Sequence, residues 1–138
     1  MGRVINPDSS GKERTRLTKS IVKAIRHLMS QSQPDKLTKD LAAFIAIGLQ
    51  SIYATVDVSV EAWEKRGYWV KADRFRLDWE WTASYGEQMK KAILAEDWAI
   101  VAAVAAKTAQ KLNNIKIAEK NRIGEPWHGA YKELLSEK

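Results

Sequence analysis

From Asp35 to Arg66 apolar residues recur at helical spacing with no break: Leu37, Leu41, Phe44, Ile45, Leu49, Ile52, Val56 and Trp63 share one stripe. Asp57, Glu61, Glu64 and Lys65 mark the opposite face. About thirty helical residues at 1.5 Å each span roughly 45 Å, longer than most small domains can leave uncovered. Pro34 or Asp35 opens this segment, and Gly67 followed by Tyr68 supplies the left-handed stop and its hydrophobic follower. The rest of the chain must therefore be organised as a coat around one long helix.

The remaining segments read as helices too. Ser10 and Glu13 match a capping box that would start a first helix, with Leu17, Ile21, Ala24, Ile25 and Leu28 on its inner stripe and an end near Gln31. A third helix is predicted over about 71–94. Ala72, Phe75, Trp79, Met89 and Ile93 fall on one face, while Leu77, Trp81 and Tyr85 form a second stripe more than about 120° away. A fourth opens at Asp97 and runs to about Leu112. Its Ala99, Ala102, Ala103, Ala105, Ala106 and Ala109 would admit a close helix neighbour, and Asn113 and Asn114 would end it in left-handed geometry. Residues 115–125 lack a period and read as loop, after which Pro126 could start a short helix bearing Trp127, Tyr131, Leu134 and Leu135. Seven glycines and three prolines, mostly at these boundaries, punctuate helices rather than strands. The expectation is an all-α fold: a single domain over 1–138, an antiparallel bundle of four main helices plus a short C-terminal helix, with residues 1–9 as a flexible arm.

Charge is segregated. Residues 1–36 carry eight basic against three acidic side chains, a net of +5 of the whole chain's +6. On a helical wheel begun at Leu17, Lys12, Arg16, Lys19, Lys23, Arg26 and His27 all fall between about 180° and 280°, opposite the apolar stripe. Such a row can follow phosphates, releasing counterions as each is neutralised, so nucleic acid or another polyanion is the implied partner. An anionic membrane surface would attract the same face, although no uninterrupted apolar run approaches the roughly 20 residues of a membrane span.

Seven of the twelve aromatic residues lie between positions 63 and 85: Trp63, Tyr68, Trp69, Phe75, Trp79, Trp81 and Tyr85, with Lys65, Arg66, Lys71, Arg74 and Arg76 among them. Rings with interleaved cations serve single-stranded nucleic acid grooves and packed helix junctions alike. Leu77, Trp81 and Tyr85 stand off the main stripe, so if uncovered they would form a surface for protein interaction, including a homodimer.

Catalytic signatures are missing. No cysteine is present, which removes thiol catalysis, disulfides and cysteine-ligated metal and fits a reducing, cytoplasmic setting. His27 and His128 belong to no helical metal-ligand pair, no glycine-rich phosphate loop occurs, and Ser59 and Ser84 lack a His at compatible spacing. No catalytic residue, metal or cofactor is expected, no signal-peptide core follows the N-terminus, and the myristoylation pattern fails at Asn6. The sequence thus points to a non-catalytic binding or adaptor module, or alternatively to a structural bundle that self-associates through Leu77, Trp81 and Tyr85.

Overall fold

The long helix anticipated from the sequence stands at the centre of the molecule as α2, Lys36–Lys65, in a computed structural model that describes residues 9–137. The side chain of Asp35 caps it by accepting from the Thr38 N–H at 3.0 Å, and Gly67 leaves it at φ 82°. Around it lie α1 (Ser10–Met29), α3 (Trp69–Trp79), α4 (Trp81–Leu94), α5 (Trp98–Lys111) and α6 (Ala130–Ser136), with no strand among the described residues. The fold is an all-α helical bundle. By length and composition α2 could cross a membrane, unlike the uninterrupted runs considered above. Its buried positions, from Thr38 to Val60, face α1, α3, α4 and α6 in turn, so that apolar character is used in packing.

α1 runs antiparallel to α2. The Ser10 and Ser59 hydroxyls meet at 2.8 Å near one end, while Ile21 lies over Gly48 further along. Ser10 is therefore the first helical residue, turned inward, and Ser9 rather than Ser10 occupies the cap position. Residues 1–8 of the expected arm lie outside the described residues. The inner stripe of α1, namely Leu17, Ile21, Ala24, Ile25 and Leu28, is buried as its spacing requires.

Further sequence expectations need correction. The third helix is broken at Glu80 into α3 and α4. There the buried Thr82 hydroxyl donates to the Trp79 carbonyl at 2.7 Å, the Ala83 N–H turns to Glu80 instead, and the Trp79 and Trp81 rings stack at 6.3 Å across the break. Asn113 and Asn114 do not adopt left-handed backbone; among the described non-glycine residues only Glu96, in the α4–α5 turn, has positive φ, at 55°. The short last helix starts at Ala130, four residues after Pro126, where Gly129 at φ 85° redirects the chain.

Of the six α5 alanines Ala105 is buried in the core and Ala109 packs partly against it, while Ala99, Ala102, Ala103 and Ala106 are exposed, so most of the expected close-packing face meets no neighbour. Close approach occurs instead at two glycines on other helices. A Cβ at Gly48 would lie 2.9 Å from Cδ1 of Ile21, and one at Gly86 in α4 would lie 3.3 Å from Cβ of Leu49 and 3.5 Å from the Ala46 carbonyl oxygen in α2. Gly86→Val should therefore cost about 2–3 kcal/mol by overpacking, despite the better helix propensity of Val over Gly. A urea titration showing unchanged stability would refute that crowding.

Candidate functional site

The cations of the basic row on α1 do face away from its buried stripe, but they are not equivalent. Lys12, Lys19 and Arg26 are exposed and make no ion pair among the described residues. Arg16 is held by Glu13 through two contacts, Nη2 to Oε1 at 2.7 Å and Nε to Oε2 at 3.2 Å. Lys23 is half-buried: its Nζ donates to the Gly124 carbonyl at 2.6 Å and sits 5.9 Å from the Trp127 ring centroid. His27 turns from the basic row to pack on Trp127 at 4.9 Å between ring centroids. Two members of the row are thus engaged by other parts of the chain.

What engages Lys23 is the irregular segment 112–129, which returns across α1. Trp127 is its anchor, 1% exposed and packed on His27 and Phe44. The buried Asp40 of α2 then accepts from the Gly129 N–H at 3.2 Å and the Tyr131 N–H at 3.0 Å, fixing the start of α6. Between α1 and this segment lies a cleft of about 400 Å³. Arg16, Lys19 and Ser20 form one wall; Lys116, Asn121 and Arg122 with Ile117 and Ile123 form the other. Lys19, Lys116 and Arg122 have no carboxylate partner among the described residues. Nearby, the hydrogen bond from His128 at 2.9 Å, ahead of the fields of His128, His27 and Lys23, holds the Glu125 carboxyl below the usual carboxylate range. Glu125 is thereby kept as an anion tied to an imidazole.

Sequence reasoning missed Lys116 and Arg122, because an aperiodic loop gives no indication of where it lands. It also missed the role of Arg14, although its position on the wheel, about 60° from Leu17, put it beside the buried stripe. The Arg14 guanidinium donates to Thr55 Oγ1 at 3.1 Å and to Ser59 Oγ at 3.5 Å and lies 4.6 Å from the Phe75 ring centroid. Burial lowers its pKa from the ordinary value. This residue ties α1 to α2 and α3 and is not available to a partner in the way the row is.

The aromatic residues form a continuous chain. Centroid distances are 4.9 Å for Trp63–Phe75, 6.2 Å for Phe75–Trp79, 6.3 Å for Trp79–Trp81 and 5.5 Å for Trp81–Tyr85. Lys71 lies 4.5 Å from the Trp63 ring and Lys107 5.9 Å from Tyr85. Trp81 and Tyr85 are half-buried within this chain, whereas Leu77 is exposed. The largely exposed rings are Tyr68 and Trp69, at the turn into α3.

A second recess, of about 600 Å³, lies between α1, α2 and the C-terminal segment and includes Glu13, Gln50, Ser51, His128 and Glu133. Among the described residues no group of three His, Asp or Glu side chains is placed to hold a metal. No protein-family model matches the chain, and neither a curated protein nor a solved structure matches it.

Proposed function

We propose that the protein is a non-catalytic binding module of the cytoplasm that holds a nucleic-acid backbone in the cleft between α1 and segment 112–129. The observation that carries this reading is the juxtaposition of Lys19 with Lys116 and Arg122, brought together from positions about a hundred residues apart and left without carboxylate partners among the described residues. Like charges gathered at one cleft repel, and an anion that bridges them relieves the repulsion. Lys12 and Arg26 extend the positive face beyond both ends of the cleft along α1, giving a track rather than a point. The walls offer cations and a few aliphatic side chains but no exposed aromatic ring, which favours contact with phosphates over stacking on bases.

Fluorescence anisotropy with labelled single- and double-stranded oligonucleotides at two salt concentrations tests the reading. Binding should weaken steeply as salt rises and depend little on base sequence. Changing Lys19 and Arg122 together to Glu should weaken it about tenfold or more and reduce the salt slope by about 2, one for each lost phosphate contact. Binding that ignores salt, or that survives the double change, would overturn the proposal.

A further inference from the structure

α3 is the least covered of the longer helices: of its 11 residues only Ala72 is buried. It rests on α2 through Ala72, Phe75 and Trp79. The opposite ridge carries Val70 and Leu77, seven positions apart and 70% and 64% exposed, and half-buried Trp81 follows just past the break at Glu80. Apolar side chains aligned in this way on a helix are the usual mark of a partner surface.

The two ends of this ridge differ in charge and in shape. Lys71, Asp73 and Arg74 lie toward its start, a net of +1, and Asp78 and Glu80 with Lys111 toward its finish, a net of −1. Arg74, Asp78 and Glu80 form no ion pair among the described residues. Arg74 and Asp78 are four apart on one helix, but the base precedes the acid, the weaker of the two orders. At the start Trp69, 59% exposed, and Val70 stand out into solvent. Toward the finish an open recess of about 710 Å³ lies beside Leu77, Trp81, Tyr85 and Lys111.

A surface that is basic and protruding at one end, acidic and recessed at the other, is complementary to its own inverse. We infer that its occupant is a second copy of this chain, docked by antiparallel pairing of the two α3 helices about a two-fold axis. Arg74 then faces the partner's Asp78, both on one flank of the ridge, and the pair occurs twice. In that register Val70 of each copy seats beside the partner's Trp81, and the two Leu77 side chains meet near the axis. A nucleic acid or an anionic bilayer fits this ridge less well, because Asp73, Asp78 and Glu80 flank it.

Sedimentation velocity at about 100 µM, a concentration that populates dimers of micromolar affinity, should give twice the 15.6 kDa chain mass for the native sequence. Arg74→Glu and Asp78→Arg should each be monomeric, since either change sets like charges against each other in both symmetric contacts. An equimolar mixture of the two variants should restore the dimer, a result that no effect on folding can mimic. Leu77→Ala, at an exposed position, should weaken association about tenfold with unchanged helical circular dichroism. A native chain that stays monomeric, single variants that dimerise as well as the native chain, or a mixture that fails to recover the dimer would each overturn the inference.

Discussion

Trp127→Ala should lower the unfolding free energy by about 3–5 kcal/mol, the range for deleting a large buried ring. Trp127 lies in the turn before α6, yet it is 1% exposed and joins residues of α1 and α2. Nothing else in segment 112–129 reaches as deep with a ring of that size. Its Nε1 is buried without a hydrogen-bond partner among the described residues, an arrangement that costs about 1–3 kcal/mol. Trp127→Phe removes that unmet donor and keeps most of the packing, so it should cost well under half as much as the alanine change. Urea titration of both variants decides the matter, and equal losses would mean that the ring's packing is not what holds the segment. Because the same segment supplies Lys116 and Arg122, Trp127→Ala should also weaken oligonucleotide binding at temperatures where the protein is still folded.

The second large effect is expected at Asp40. Its carboxylate, 4% exposed, accepts two backbone N–H groups at the entry to α6. Hydrogen bonds to a charged acceptor contribute about 1.5–3 kcal/mol each, and here their loss also strands two donors. Asp40→Ala should therefore destabilise the chain by about 3 kcal/mol, and Asp40→Asn, which keeps one acceptor oxygen, by clearly less. Hydrogen exchange provides the local readout: amides of Ala130–Ser136 should lose protection before those of α2. Uniform loss throughout the bundle would contradict a local clamp.

The features legible in the sequence are those decided within a few residues. Asp35 and Gly67 mark the ends of α2 because a cap needs a short acceptor and a left-handed exit needs no Cβ. The buried stripe of α1 and the outward turn of Lys12, Arg16, Lys19 and Arg26 follow from one wheel. What escaped the sequence depends on distant partners. The break at Glu80 arises from a threonine hydroxyl and two stacked indoles, whose geometry propensity does not encode. Alanine content marked α5 as a close-packing helix, but of its six alanines only Ala105 and Ala109 meet the core, and tight approaches are found at Gly48 and Gly86, because the determining factor is what stands opposite. The cleft required knowing that segment 112–129 folds back over α1, information held by Trp127, Lys23 and Asp40 jointly and by none of them alone.

The contacts of Asp40 also bear on how the chain matures. Its hydrogen-bonding partners lie 89 and 91 residues downstream. On the ribosome, where N-terminal elements emerge first, α1 and α2 can meet early, but the flank of α2 around Asp40 stays bare until residues 127–134 have been translated. For that interval the nascent protein displays a hydrophobic strip with an unmet carboxylate at its edge, the kind of surface that chaperones hold and proteases inspect.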